Sequence, residues 1–388
     1  MNNKEDIVQI NKKKSVTKKL RLGIIYGGKS GEHDVSRCSA ASIAEVASKK
    51  YEVVCIGITR DGRWYVQNAI HIDNHPSFGK VLAIHEHGKW AIDTSSSDGL
   101  LHLLEKVTGE EVIVDVVFPI VHGTYGEDGT LQGLLEMVDV PYVGPGVLGS
   151  AVGMDKDIAK RVLMNANGFA IVPFKTIRIN EMNPQNKQKI LRMVEKMLPV
   201  FIKPANAGSS VGISKVINKG MIEESLSLAF QYDTKVIVEK AIDCREFEVS
   251  VMGNEEPVAS VVGEIIPQHE YYSYKAKYLE KDGATLAIPA TISKSLEHNL
   301  QKAACTIFSL LECEGLARVD FFVEKQTNIL YFNEINTLPG FTSISMYPKL
   351  WDCSGIPYTK LIDTLIHYAL KRHRRRKKMV EAFLRLKK

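Results

Sequence analysis

The sequence predicts an α/β protein of several domains, opened by a doubly wound parallel sheet. Three observations carry this. The chain has 388 residues, which suits two or three domains with sizeable cores. Residues 22–48 read as strand, glycine loop and Ala/Ser-rich helix, the opening unit of a doubly wound domain. The phosphate- and metal-type motifs all lie after residue 144, beyond the Pro/Gly boundary Pro141-Tyr142-Val143-Gly144-Pro145-Gly146, so they belong to further lobes.

Composition narrows the class. A content of 45% hydrophobic and 24% charged residues is that of an ordinary globular protein. No apolar run approaches the roughly 18 residues of a membrane span. The first 20 residues are polar and Lys-rich, without the apolar centre of a secretory signal. Six cysteines are scattered with no CxxC pair, which fits reduced thiols in a cytoplasm better than a disulfide frame or a zinc site. The net charge of +5 belongs to the ends: residues 1–21 carry seven bases and two acids, and residues 371–388 ten bases and one acid, leaving a body of about −9. A basic end can hold nucleic acid or anionic lipid. A solvated tail or helix end explains it as well and is preferred, so neither partner is required.

In chain order, the strand at 22–26 runs into Gly27-Gly28-Lys29-Ser30-Gly31-Glu32. A glycine loop before a helix start favours anions, which makes Glu32 odd. It repels phosphate and attracts an ammonium group, or simply complements the helix dipole. A second strand at 53–59 ends at Arg60-Asp61-Gly62, and 63–95 read as small hairpins. Residues 112–121 read as one buried strand ending at His122, where open α/β sheets place ligands. A turn-packing histidine fits there equally. Thr130 is the expected cap of the next helix. A later helix carries Asp155, Lys156 and Lys160, with Lys156 able to reach a phosphate or to lie solvated. The strand at 198–203 opens onto Pro204-Ala205-Asn206-Ala207-Gly208-Ser209-Ser210-Val211-Gly212. Backbone donors and hydroxyls make this a phosphate cradle with Lys203 as its charge. It lacks the G-K-[ST] ending, which speaks against a Walker-type loop.

After a helix at 221–230 come strands at 235–240, 244–251 and 257–265, then a Tyr- and Lys-rich loop at 267–283. Long aromatic, cationic loops act as lids. A helix at 294–313 precedes two apolar strands, 316–323 and 328–332, and a last helix from 358 to about 378 merges into the basic end. On the two strands Arg318-Val319-Asp320 and Asn333-Glu334-Ile335-Asn336 put polar groups on alternate positions, hence on one face. Paired as a hairpin, they gather Asp320, Glu334 and Asn336 into an oxygen-only cluster beside Arg318, suited to Mg²⁺ carrying phosphates. The competing reading is an edge hairpin whose polar face looks at water. No Ser/His/Asp triad or reactive cysteine context stands out. The combination points to ATP between two lobes facing a small substrate with an ammonium group, and to catalysis by positioning and charge neutralisation.

Seven blocks in chain order resemble the D-alanine–D-alanine ligases of the ATP-grasp superfamily, from about residue 21 to 372. They are residues 27–36, 122–133, 154–156, 203–212, Tyr274-Lys275-Ala276-Lys277-Tyr278, 317–320 and 333–346. The resemblance implies a three-domain ATP-grasp fold: a Rossmann-like substrate domain at 21–143, a central lobe at 144–243, and a C-terminal lobe at 244–372 with the lid 267–283. Basic tails lie at 1–20 and 373–388. It implies that two D-alanines are joined with ATP through a D-alanyl phosphate, for peptidoglycan precursors, in the cytoplasm and as a homodimer. Glu32 would hold the first ammonium, with His122 nearby. Lys156, Lys203, Ser210 and Lys277 would meet ATP phosphates. Glu239 and the backbone of Lys240 to Ile242 would read adenine, and Glu246 the ribose. Asp320, Glu334 and Asn336 would hold two Mg²⁺, or Mn²⁺ in their place. Arg318 and the Gly340 amide would stabilise the oxyanion and the transferring phosphoryl group. Ser345 and the Met346 amide would bind the second carboxylate. Ser209, Tyr278 and Glu32 would close the lid. Relatives take D-alanine, D-lactate or D-serine as second substrate, and Tyr278 goes with D-alanine, whereas the D-lactate ligases carry a histidine in that loop. Some relatives have an acid at the position of Lys275. The readings left beside this one are a D-lactate or D-serine ligase, and an ATP-binding module without catalysis; against the latter, every metal- and phosphate-type residue is present.

Overall fold

The computed structural model describes residues 19–96, 98–209, 211–267, 284–342 and 344–385. Along the first strand, Arg21–Gly27, alternation sends Leu22, Ile24 and Tyr26 into one core and Ile25 into another. A strand apolar on both faces belongs inside a sheet. Glu52–Ile58 and Val116–Pro119 flank it in parallel, and Trp64–Gln67 adds an antiparallel edge. Gly27 and Gly28 turn the chain off the strand at φ +88° and +97°. A Cβ at Gly27 would run into the Ile58 carbonyl, so only glycine fits. The helix His33–Ala47 then packs back on the sheet.

Two further sheets follow, one antiparallel and one antiparallel but for a short parallel edge strand. Phe174–Arg178, Lys235–Lys240, Val200–Pro204 and Ser214–Val216 form one, in that order, over a core of Ile177, Val194, Val200, Ile202, Leu226 and Val238. The other orders Ala170–Ile171, Leu330–Asn336, Gly315–Glu324, Cys244–Gly253, Val258–Pro267 and Ala284–Ala287. The helices Met346–Cys353 and Tyr358–Arg385 join this last lobe to the first sheet, because Phe341, Tyr347, Trp351, Leu361 and Leu365 share one core with Leu22, Ile24 and Phe118. Among the described residues no helix is long and apolar enough to cross a membrane.

Several expectations change. The single strand at 112–121 is two: Glu111–Val114 joins a small sheet with Trp90–Asp93 and Leu101–Glu105, and Val116–Pro119 joins the parallel one. Asp115 divides them, because its carboxylate accepts the Arg21 amide at 2.7 Å and the Arg21 guanidinium at 2.7 and 3.1 Å. Thr130 is not a cap. It is the first residue of the helix Thr130–Met137, and Asp128 accepts its amide at 3.0 Å. Asp155 breaks one expected helix into Val147–Met154 and Lys156–Leu163, capping the second through the amides of Asp157 and Ile158. Ala159 and Leu163 of that second helix pack in the C-terminal lobe core, not in the central one. The edge-hairpin reading fails: Gly315–Glu324 and Leu330–Asn336 do pair antiparallel, but inside a six-stranded sheet. The last helix continues to Arg385. Its basic residues Lys371, Arg372, His373, Arg375 and Arg376 are not a solvated tail, because they pair with Glu136, Asp139, Glu255 and Glu314. The predicted lid residues Lys277 and Tyr278, the cradle residue Ser210, and residues 1–18 of the basic N-terminal end lie outside the described residues.

Candidate active site

Two cavities meet between the lobes. The first, about 260 Å³, is lined by Glu32, His122, Lys156, Ser209, Asn336, Gly340, Ser345 and Met346. The second, about 670 Å³, is lined by Lys203, Glu239, Lys240, Ile242, Glu246 and Asp320. Arg318, Glu334 and Glu248 line both. The two cavities therefore gather every described residue singled out from the sequence, with one shared wall.

That wall is built by strand register. Asp320 faces Glu334 and Arg318 faces Asn336 across the pair Gly315–Glu324 and Leu330–Asn336. Arg318 grips Asp320 with two parallel bonds of 2.7 and 2.6 Å and meets Glu248 at 2.9 Å. The Asn336 amide donates to Asp320 at 3.0 Å, and Lys156 meets Glu334 at 3.1 Å. The register shifts after Asp320, leaving Asn333 without a facing residue. Its carbonyl accepts Lys160 at 2.9 Å.

In the larger cavity Glu239 stands between two ammonium groups. Lys203 pairs with one oxygen and Lys160 with the other, the latter at 2.9 Å. Glu239 is 2% exposed and Lys160 fully buried. Burial alone would raise the Glu239 carboxyl, but the two lysines hold it down at about 2. Burial also pulls the Lys160 ammonium below its usual value against the opposing Glu239. The Lys240 side chain donates to the Met197 and Leu198 carbonyls at 3.1 and 2.9 Å, and the residue lines the larger cavity.

At the far end of the smaller cavity Ser209 donates to Glu32, and Lys156 donates to the Ala207 carbonyl at 2.8 Å. Gly123 and Gly208 close on Glu32 so tightly that a Cβ on either would lie 2.8 Å from its Oε2. Glu127 accepts the Gly123 and Leu338 amides at 2.8 and 3.3 Å. Burial and the nearby Glu32 charge raise its carboxyl to about 8. Both ring nitrogens of His122 are engaged, Nδ1 with the Leu338 carbonyl at 2.9 Å and Nε2 with Ser39 Oγ at 3.0 Å. Ser345 Oγ accepts the Thr342 amide at 3.1 Å, and Ser345 directly precedes the helix Met346–Cys353.

A family model described as "D-ala D-ala ligase N-terminus" matches residues 21–145, and one described as "D-ala D-ala ligase C-terminus" matches residues 163–367. The chain belongs to the D-alanine–D-alanine ligase family. Within this family, the D-alanine–D-alanine ligase of Baumannia cicadellinicola is 47% identical, over 92% of this chain and 94% of its own length. The D-alanine–D-alanine ligase B of Clostridium tetani is 46% identical over 92% and 95%. The solved D-alanine–D-alanine ligase of Coxiella burnetii superposes with a TM-score of 0.79 at 34% identity, covering 96% and 100%. VanG, titled a D-Ala:D-Ser ligase, from Enterococcus faecalis gives 0.76 at 34%, covering 91% and 100%. The fold is thus the ATP-grasp fold of these ligases.

For a ligase of this family, the sequence reading passed over four residues. Ser39 looked like one more small residue in an Ala/Ser-rich helix. Glu127 sat unassigned inside its motif. Lys160 looked like a surface lysine. Glu248 had no signal beyond its place two residues after Glu246 on an alternating strand.

Proposed function

We propose that the larger cavity takes ATP, the smaller one two D-alanines, and that Arg318 and Glu334 stand where the γ-phosphate meets the bond being made. The chain is an ATP-dependent ligase that joins two D-alanines into D-alanyl-D-alanine through a D-alanyl phosphate, for peptidoglycan precursors. The single observation that carries the residue assignment is the shared wall: a guanidinium and two carboxylates bordering both cavities at once.

The first D-alanine sits with its ammonium at Glu32. Its carboxylate oxygen attacks the γ-phosphorus and ADP leaves. The amine of the second D-alanine attacks the acyl carbon, phosphate departs, and the amine loses a proton. Lys156 and Lys203, with Lys277 and the 203–212 loop including Ser210, balance the phosphate charge. On nucleotide binding the phosphates replace Glu239 as the partner of Lys203. Glu239 and the Lys240 to Ile242 backbone then face adenine, and Glu246 the ribose. Arg318 and the Gly340 amide face the developing oxyanion. Ser345 and the Met346 amide, at the positive end of the helix Met346–Cys353, hold the second carboxylate. Tyr278 joins Ser209 and Glu32 over the closed site. His122 lines the first-substrate cavity and shapes it.

The donor set suits Mg²⁺: two carboxylates, Asp320 and Glu334, directly opposed in register, with the Asn336 carboxamide beside them. These are hard oxygen ligands. Two ions held there would neutralise phosphate charge, Mn²⁺ serving in their place. The organisation into lobes 21–143, 144–243 and 244–372, a cytoplasmic location and a homodimer follow from the family resemblance. Light scattering that returns a monomer at assay concentration would remove the dimer.

The deciding assay supplies ATP, Mg²⁺ and D-alanine and measures ADP, phosphate and dipeptide. Folded protein that releases no ADP in response to D-alanine sinks the reading. Replacing half of the D-alanine by D-serine or D-lactate and analysing products fixes the second substrate, for which D-alanine is expected.

A further inference from the structure

One helix reaches both ends of the reaction. Glu32 directly precedes the helix His33–Ala47, and Ser36 and Ser39 follow at the spacing that keeps residues on one helical face. Ser36 Oγ seats the helix on the strand ends, accepting the Gly27 amide at 2.8 Å and donating to the Ile120 carbonyl at 2.5 Å. Ser39, fully buried, reaches out of the N-terminal domain altogether. Its Oγ accepts the Phe341 amide of the C-terminal lobe at 3.2 Å and lies 3.0 Å from His122 Nε2. His122 Nδ1 meets the Leu338 carbonyl at 2.9 Å.

These contacts form one directed circuit. A carbonyl only accepts, so Nδ1 carries a proton, and in the neutral ring Nε2 accepts. The Ser39 hydroxyl therefore donates to Nε2, and its remaining lone pair takes the Phe341 N–H. The circuit leaves the C-terminal lobe at Leu338, passes through His122 and Ser39, and returns at Phe341. It spans the two residues between, Pro339 and Gly340. Two more bonds tighten the same loop: Glu127 accepts the Leu338 amide at 3.3 Å, and Tyr358 donates to the Phe341 carbonyl at 2.6 Å. The Phe341 ring is locked between Phe118, Tyr347 and Tyr358, with centroids 5.5 to 5.7 Å away.

We propose that Ser39 is a positioning residue for ligation: through His122 and the Phe341 amide it fixes the loop that presents the Gly340 N–H, and so ties that N–H to the helix that begins at Glu32. This rests on the reading above, in which Gly340 faces the oxyanion and Glu32 the first ammonium. About seven residues of helix at 1.5 Å each separate Glu32 from Ser39. A rigid strut of about 10 Å thus sets where the first substrate lies relative to the amide that must meet its reacting carbon. Deleting one hydroxyl removes the group that the Phe341 amide and His122 Nε2 share and lets the loop drift, and a 1 Å misplacement of a reacting geometry costs about 10²-fold.

The test is Ser39→Ala, which removes only the Oγ. Its kcat for dipeptide should fall about 10- to 100-fold, with the KM for ATP within two-fold of the unmodified protein. A phosphinate analogue of the dipeptide, tetrahedral at phosphorus, should lose affinity by about the same factor as kcat/KM. Ser39→Cys, nearly the same size but a weak donor, should fall between. A kcat within two-fold in Ser39→Ala overturns the proposal. So does a kcat loss without loss of analogue affinity, or equal losses of ATP and analogue affinity, which would make Ser39 a packing residue. The unmodified protein is the separate control: if it makes no dipeptide, the underlying functional reading fails and not the role of Ser39 within it.

Discussion

Lys160 is the residue whose removal separates structure from catalysis most cleanly. It cannot reach solvent, and its ammonium bonds to Glu239 and to the Asn333 carbonyl. Taking one partner from a buried ion group typically costs about 3–5 kcal/mol. Glu239 keeps Lys203, so Lys160→Met should destabilise by about 2–4 kcal/mol in denaturant unfolding. It should raise the KM for ATP several-fold while leaving that for D-alanine unchanged, since Lys203 can no longer leave Glu239 for a phosphate. The pH effect has a definite sign. Glu239 titrates near 2, below its unfolded value, so the pair stabilises above about pH 4.3 and that contribution is lost as pH falls towards 2. Without Lys160 the carboxyl rises, and acid unfolding should begin at higher pH. An unchanged acid midpoint would count against the ion triad. At the shared wall, Glu334→Gln keeps the size and the strand register. It should lower kcat by about 10³-fold or more with a thermal midpoint within a few degrees. Full activity would remove Glu334 from the metal cluster.

Among elements, legibility followed the period of the pattern. The alternation of Leu22, Ile24 and Tyr26 against Ile25, and of Arg318, Asp320, Glu334 and Asn336, is local and could be read directly. What needed a partner was hidden. Asp115 interrupts a strand only because Arg21 is there to bind it, and nothing near residue 115 announces Arg21. Glu32, Arg318 and the 203–212 loop were legible as candidates, because charge or glycine content marks them. Ser39 and Lys160 were not, because a buried serine and a buried lysine look like any others until the chain folds over them. The C-terminal helix Tyr358–Arg385 is the sharpest case. Its charges suggested a solvated end, yet Arg372 is buried, donating to the Gly144 and Tyr142 carbonyls with its guanidinium 4.3 Å over the Tyr142 ring. Arg372→Met should therefore lower the thermal midpoint by several degrees. Deleting residues 379–388, where Met379 and Val380 are more than half exposed, should leave both turnover and midpoint unchanged. A large loss on deletion would mean that the helix end makes contacts beyond those described.

At the scale of the molecule, the apolar cores predict which part moves. One core runs without a break from the parallel sheet through Phe118, Phe341 and Trp351 into the C-terminal helices, and the Ser39–His122 circuit reinforces that junction. The sheet containing Val200–Pro204 and Lys235–Lys240 has its own core. Across the cleft it is held to the helix Lys156–Leu163 by polar contacts: Lys160 to Glu239, Lys156 to the Ala207 carbonyl, and Lys235 to Asp155. Apolar interfaces resist opening, whereas ion pairs can exchange partners with water and with phosphates. That sheet with its own core is therefore expected to open as a unit, leaving the helix Lys156–Leu163 with the rest of the molecule. Native-state hydrogen exchange would measure this. Amides of Val200–Pro204 and Lys235–Lys240 should open at lower free energy than those of Arg21–Gly27 and Gly315–Glu324. A non-hydrolysable ATP analogue at 100 times its Kd should then raise the protection of the central strands by about 2.7 kcal/mol, with little change in the parallel sheet. If all four strands exchange through one common opening, the three lobes form a single rigid unit.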